Sequence, residues 1–348
     1  GRRPRSGNGA VLLPATRRDW GLGVLTIGIH GVTPGTGADP TCCHDHGVAA
    51  LRQGRVVYCQ ELERQTGRKH DGALGWSIED LVLPLLRDSS EVRVALVNSV
   101  FGSRFRSVNG LVEIDGIPDL EVPSMLAECP GRIAVAGEVR AARFFTVCHE
   151  IAHLGTCLPF FGPYRPDSLL VHIDGGASRS CASAWYFDGE RITCLDHGWH
   201  VGPKGAVNNF NDSLLSCWIL GLSPAEHLSM PGKLMGLASL GTTDPVARAW
   251  LQQREWLRHP ASERAIVRDE IRRGLPHLPF AALTDRDSGC HVLAATMQWH
   301  LEDEVLAYVR RWREATGART LYYSGGAALN VHANTRLERE GGFDAILI

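Results

Sequence analysis

The chain has 348 residues, with 36 Lys and Arg against 38 Asp and Glu, a net charge of -2, and 44% hydrophobic and 21% charged residues. This balance excludes a nucleic-acid surface built on excess positive charge and a polybasic membrane anchor, while the length suffices for one large domain or two medium ones. No apolar run approaches the ~18–20 residues that a membrane-spanning helix needs, so a cytoplasmic protein with neither nucleic-acid nor membrane partners is expected.

In chain order, residues 1–20 hold arginines but no long apolar core, and they read as a poorly ordered tail rather than a signal peptide. Val24 to His30 is the first strand signal, followed by a Gly/Pro/Thr-rich loop from Gly31 to Cys43. Two apolar runs then flank Arg52-Gln53-Gly54-Arg55, which predicts a β-hairpin. Trp76 to Arg87 has helical periodicity despite Pro84, and "VRVALVNSV" and "RIAVAGE" read as further strands. Phe144, Val147, Ile151 and Leu154 form an apolar stripe that predicts a helix through "TVCHEIAHLG".

The pattern then recurs. "SLLVHIDGG" is an apolar strand ending at Asp174-Gly175-Gly176, and two strands follow around the turn Asp188-Gly189. Strand, glycine-containing loop, strand, tight turn, strand thus occurs near Val24 and again near Leu169, which predicts two related α/β lobes at 21–165 and 166–348. Helices are expected over Val246 to Leu257, Ser262 to Arg273 and Cys290 to Thr316. A strand "RTLYYS", the pair Gly325-Gly326, a helix "AALNVHANTRLERE" and an apolar strand "FDAILI" close the chain. A glycine pair between strand and helix suits a phosphate, because backbone N–H groups and the helix dipole favour an anion there; it equally suits a tight turn.

The ten cysteines fall at irregular spacings without a C-x-x-C pair, and several, Cys59, Cys148 and Cys217, sit in apolar stretches. Buried free thiols in a reducing compartment are expected. Cys42-Cys43 precedes His44, but adjacent cysteines rarely chelate one ion well.

His149-Glu150-Ile151-Ala152-His153 formally matches H-E-x-x-H. The longer zinc-protease form fails, because Thr156 stands where a glycine is needed and Pro159 where the third histidine is needed. Two histidines four residues apart share one helix face and can share a metal, or can simply make hydrogen bonds. Asp174, at the end of the next strand, is the better third ligand, and a His/His/Asp set with open positions suits Fe(II), Mn(II) or Zn(II).

Several motifs in order carry a resemblance. "CHDHGVAALRQGRVV" looks like H-D-S-A-A-A-L-x-x-D-G-x-I-V, "QELERQTGRKHDG" like E-E-E-R-F-T-x-x-K-H-D, and "HEIAH" like H-H-L-A-H with Glu150 in place of the second histidine. "VHIDGG" matches a following D-G strand, "GKLMGLASLG" is similar to Y-K-V-M-G-L-A-P-Y-G, and "LYYSGGAALNVHANTRLERE" to L-x-L-A-G-G-V-A-L-N-x-x-A-N-G-R-L-L-R-E. On these motifs the chain resembles the carbamoyltransferase family of natural-product biosynthesis, the NodU/CmcH/TobZ type.

The resemblance implies an α/β, actin-like (ASKHA) fold of duplicated RNase H-like lobes. It implies a metal held by His149, His153 and Asp174, with His44 as general base and Lys69 as its electrostatic partner. Lys233, Gly325, Gly326 and Asn330 would hold nucleotide or phosphate. In the family a YrdC-like domain makes carbamoyl-adenylate from carbamoyl phosphate and ATP, and the carbamoyl group passes to an acceptor hydroxyl. The sequence ends at "GGFDAILI", before the family's segment with a further aspartate ligand and before that YrdC-like domain, so a complementary subunit in a heterodimer is expected.

Departures from the family pattern also point to a second reading. The loop from Val32 to Cys42 is an insertion, Gly232 replaces a tyrosine, and the stretch after Asp174-Gly175 is reworked to "GASRSCAS". A repurposed member would let His44 or Glu150 deprotonate an amine that closes a strained ring, an aziridine or azabicycle, with loss of sulfate or phosphate.

Overall fold

A strand buried on both faces must be apolar along its whole length, and a strand covered on one face must alternate. Ser168–Ile173, apolar at nearly every position, is buried throughout, whereas in Gly47–Arg52 buried positions alternate with half-buried ones. The computed structural model describes residues 10–11, 24–32, 44–72, 86, 89, 91–98, 104–106, 112–115, 126–135, 138–140, 142–176, 180–198, 202–211, 214–257 and 264–348.

The chain divides into two compact units, Gly1–Pro166 with Ala177–Arg179 and Phe187–Cys194, and Asp167–Gly176 with Ser180–Tyr186 and Leu195–Ile348. The elements up to Phe161 are β1 (Ala10–Val11), β2 (Val24–Val32), β3 (Gly47–Arg52), β4 (Arg55–Glu61), α1 (Leu62–Thr66), β5 (Glu91–Asn98), β6 (Arg104–Arg106) and β7 (Val112–Asp115). They continue with β8 (Leu126–Cys129), β9 (Gly131–Val135), β10 (Glu138–Arg140), β11 (Ala142–Cys148), α2 (His149–Gly155) and α3 (Leu158–Phe161).

The main sheet of the first unit runs β4-β3-β2-β5-β11-β8. β2 is antiparallel to β3 and parallel to β5, and β5 is parallel to β11. Leu25, Ile27, Ile29, Val94, Leu96 and Phe144 fill its core. The expected hairpin is present: Gln53 and Gly54 both take positive φ, 54° and 73°, between the paired residues Arg52 and Arg55, which is the turn whose twist matches the flanking strands. "RIAV" joins a separate four-stranded sheet, β10-β9-β7-β6, rather than the main one.

The remaining strands are β12 (Ser168–Ile173), β13 (Ala182–Phe187), β14 (Ile192–Gly198), β15 (Thr320–Ser324) and β16 (Ala345–Leu347). The helices are α4 (Lys204–Asn211), α5 (Leu214–Leu220), α6 (Met230–Ala238), α7 (Pro245–Gln253), α8 (Arg264–Gly274), α9 (Ser288–Thr316) and α10 (Val331–Glu340). The sheet order is β1-β14-β13-β12-β15-β16, with β12, β15 and β16 parallel. In both large sheets the strands therefore lie third-second-first-fourth-fifth, with the first, fourth and fifth parallel. That repeated order is the duplicated α/β architecture expected from the recurring sequence pattern, and it agrees with the actin-like fold that the resemblance implies. The long helix α9 buries Leu293, Met297, Leu301 and Val305 in the second core.

Three expectations change. The apolar stripe from Phe144 does not make one helix, because Phe144 to Cys148 is strand and helix starts only at His149. Its Phe and Thr residues alternate about the sheet, with Phe144, Thr146 and Cys148 buried, so period two wins over period 3.6. The expected helix "AALNVHANTRLERE" is broken at Asn330, whose extended backbone ends a 3-10 turn over Gly326–Leu329 and starts α10. Cys148 and Cys217 are buried as expected, but Cys59 is exposed, since it lies on β4 at the sheet edge.

Ala10–Val11, within the segment expected as a tail, pairs with Ile192 and Thr193 of β14. The expected helix at 76–87 lies outside the described residues apart from Leu86, as do most of the insertion at 32–42 and the Cys42-Cys43 pair.

Candidate functional site

In the first unit, histidines gather where parallel strands end. His30 lies near the end of β2, and His149 follows directly on β11, whose last extended residue is Cys148. Ends of parallel strands are where α/β sheets place their chemistry. The helical step of four puts His149 and His153 on one face, with Nε2 atoms 2.9 Å apart and rings stacked at 4.7 Å. At this distance one ring donates an N–H to the other, and the same face could instead offer both Nε2 lone pairs to a borderline divalent cation.

His30 lies edge-on to His149 at 5.6 Å and to His46 at 6.1 Å. Burial first, and then the proximity of His149, push the His30 imidazole down to about 4. Its Nε2 donates to the carbonyl of His44 at 3.1 Å. Gly31, at φ 122°, is required here, because a Cβ would collide with the His46 ring.

His44 donates from Nδ1 to Asp45 Oδ2 at 2.7 Å, and His70 donates from Nδ1 to Asp45 Oδ1 at 3.0 Å. The hydrogen bond from His44 is the main cause holding the Asp45 carboxyl below its ordinary range. Lys69 is exposed in the turn beside His70. Glu150 is fully buried on α2, and its carboxylate adjoins the Cys148 thiol, which burial and this charge push up.

In the second unit, Asp174 ends β12. Its Oδ1 accepts from Gly175 N–H at 2.6 Å and its Oδ2 from Gly326 N–H at 2.8 Å. Gly325, at φ 98°, cannot carry a side chain, since a Cβ would run into the Ile173 carbonyl. The hydroxyls of Tyr323 and Ser324, both buried on β15, have no hydrogen-bond partner among the described residues. Burial and the nearby Asp174 push the Tyr323 phenol up.

Asn330 is buried, and three hydrogen bonds hold its amide. Its Oδ1 accepts from Ala333 N–H at 3.0 Å and from Gln298 Nε2 at 2.9 Å, while its Nδ2 donates to Gln298 Oε1 at 2.9 Å. Lys233 is half exposed on α6, with Nζ 3.8 Å from Glu226.

Sequence reasoning placed His44, His149 and His153 but passed over His30, Asp45, His46 and His70. The signal for three of these was in view as the His-Asp pairs of "CHDHG" and "KHDG".

Residues 193–348 match the family model described as Carbamoyltransferase N-terminus. The chain is 22% identical over 346 residues to Nodulation protein U of Bradyrhizobium diazoefficiens, covering 88% of this chain and 57% of that protein. It is 23% identical over 341 residues to Nodulation protein U of Rhizobium tropici, covering 88% and 56%. The chain thus spans little more than half the length of these curated relatives.

Among solved structures it is similar to component A of (R)-2-hydroxyglutaryl-CoA dehydratase from Acidaminococcus fermentans, with TM-score 0.46, 13% identity, and 93% and 91% of the two chains covered. It is similar also to the activator of 2-hydroxyisocaproyl-CoA dehydratase from Clostridium difficile, with TM-score 0.45, 12% identity, and 93% and 88% covered. No helix among the described residues is long and apolar enough to cross a membrane. The C-terminal part of the chain is thus similar to the carbamoyltransferase N-terminus family, and 88% of the chain is similar to Nodulation protein U.

Proposed function

We propose that this chain is the catalytic part of a carbamoyltransferase in natural-product biosynthesis. It moves a carbamoyl group from carbamoyl-adenylate to a hydroxyl of a small molecule, with a complementary second chain supplying the adenylate from ATP and carbamoyl phosphate. The observation that carries this reading is the hydrogen bond from His44 Nδ1 to Asp45, which leaves Nε2 as an oriented base. In the reaction, Nε2 takes the acceptor O–H proton, the oxygen bonds to the carbamoyl carbon, and the bond from that carbon to the phosphate oxygen breaks to release AMP. Lys69 contributes positive charge near the same loop.

His149 and His153, joined by Asp174, are the proposed ligands of Fe(II), Mn(II) or Zn(II). When bound, such an ion supplies a Lewis acid for a carbonyl or phosphate oxygen. Gly325, Gly326 and Lys233 are assigned to the nucleotide or phosphate, a reading supported by the unpartnered hydroxyls of Tyr323 and Ser324 next to the glycine pair. Asn330 is assigned to the same site, where it also fixes the start of α10 by capping it, and its second Nδ2 N–H is the donor offered to the nucleotide or phosphate. Glu150, buried beside Cys148, packs α2 against β11.

The test is co-purification with the product of the adjacent gene, followed by incubation with carbamoyl phosphate and ATP. Carbamoyl-adenylate formation by the pair, and its transfer to an acceptor only when this chain is present, is the expected result. A stable complex that consumes neither reagent overturns the reading and favours amine attack with loss of sulfate or phosphate.

A further inference from the structure

The Asp45 carboxylate is shared. One oxygen accepts from His44 Nδ1 at 2.7 Å and the other from His70 Nδ1 at 3.0 Å, and the two rings meet edge to face at 5.8 Å. A carboxylate only accepts, so both imidazoles carry their proton on Nδ1 and leave Nε2 as the basic nitrogen. A histidine side chain free in water prefers the opposite tautomer.

The loops that bring these groups together are held firmly. His46 N–H donates to the Asp71 carbonyl at 3.1 Å, stapling residues 44–46 to residues 70–71. His70 N–H donates to Glu63 at 2.9 Å, and Thr66 Oγ1 donates to Asp71 at 2.6 Å, so α1 anchors the second loop. Asp45 and His70 both take left-handed backbone, at φ 56° and 55°, a conformation that non-glycine residues adopt at a cost and that persists when the surroundings enforce it. Three side chains, 39%, 47% and 29% exposed for His44, Asp45 and His70, remain open to a substrate.

We propose that Asp45 and His70 are positioning residues for His44. His70 pins the Asp45 carboxylate from its far oxygen, and the carboxylate then fixes the His44 ring in the Nδ1–H tautomer with Nε2 directed at the acceptor. A carboxylate held by His44 alone would be free to rotate about its side-chain torsions. The second imidazole removes that freedom, which is how a supporting residue sharpens a base it does not touch.

This rests on the reading of His44 as the base, but its test does not. Ring 15N–1H correlation spectra of the full chain at neutral pH report each histidine tautomer directly. Both His44 and His70 are expected as Nδ1–H. In His70→Gln the Nδ1–H form of His44 falls several-fold relative to the other tautomer. His70→Asn, whose amide N–H occupies the place of Nδ1, restores it. In the transfer assay His70→Gln lowers kcat with little change in acceptor KM, and His70→Asn recovers most of it. His44 found in the Nε2–H form in the wild type overturns the proposal, as does a His44 tautomer indifferent to both His70 variants. Stoichiometric Zn(II) binding that is lost in His70→Gln and retained in His149→Ala would overturn it by making these three residues a metal site. Failure of carbamoyl transfer with tautomers as expected removes the reaction while leaving the relay.

Discussion

The carboxylate of Asp174 accepts the backbone N–H of Gly326 at 2.8 Å, tying the end of β12 to the glycine turn that follows the neighbouring parallel strand β15. The same side chain accepts from Gly175, so one aspartate orders both turns at this end of the sheet. Replacing it separates two roles. Asp174→Ala is expected to lose about 2–3 kcal/mol of stability, the usual worth of hydrogen bonds to a charged group. Asp174→Asn keeps one of the two acceptors, so about half of that loss is expected, while Mn(II) affinity falls at least roughly tenfold if this residue is a ligand as proposed. Urea unfolding and equilibrium dialysis measure the two, and equal metal affinity in Asp174→Asn would remove this residue from the ligand set.

Gly325→Ala tests the turn itself. At φ 98°, with a Cβ directed into the Ile173 carbonyl, alanine brings both backbone strain and collision. A loss of about 2–4 kcal/mol is expected by thermal or urea unfolding. A variant as stable as the wild type would show that the turn can relax away from β12.

Asn330→Ala removes a helix cap and breaks the reciprocal amide pair with Gln298. The cap is worth about 1 kcal/mol, and stranding the buried Gln298 amide costs about 1–3 kcal/mol more. The double variant Asn330→Ala with Gln298→Leu should recover part of the loss, because no polar group is then left alone. Nucleotide affinity measured alongside by calorimetry distinguishes this supporting role from direct contact, which the double variant could not restore.

His30 makes stability depend on pH. Its folded-state value of about 4 lies below the ordinary 6.5, so between these limits the unfolded chain binds a proton that the folded chain does not. Stability therefore rises with pH across this window and is lost on acidification through it, by up to about 3 kcal/mol. His30→Gln keeps a donor for the His44 carbonyl but cannot titrate. Metal-free wild type should lose about 3 kcal/mol more than His30→Gln between pH 7 and pH 4 in urea titrations, and parallel curves would contradict this.

Much of the fold was legible because local chemistry and architecture agree. The alternation in β3, the apolar run Leu169-Leu170-Val171 of β12 and the turns at Gln53-Gly54 and Asp188-Gly189 each express a short-range rule. At Asp188 the side chain accepts from Glu190 N–H and Arg191 N–H, both at 2.7 Å, which is why an aspartate opens that turn. The stripe from Phe144 misled because it joins strand residues to helix residues: Phe144 and Val147 lie on opposite faces of β11, and only Ile151 and Leu154 belong to α2. Only pairing with β5 and β8 decides between the two periods there.

The sequence by itself determined the recurring strand, turn and strand pattern of the two lobes, the helix-face pair His149 and His153, and the glycine turn after β15, since each depends on residues close together in the chain. Tertiary structure alone decided the rest of the site. His44 and His70 are 26 positions apart, yet one carboxylate joins them because α1 and the β3–β4 hairpin fold residues 44–46 back onto residues 70–71. Asn330 and Gln298 likewise meet across 32 positions, in a reciprocal amide pair. Which buried polar groups find each other is set by the packing of whole elements, and no local spacing encodes it.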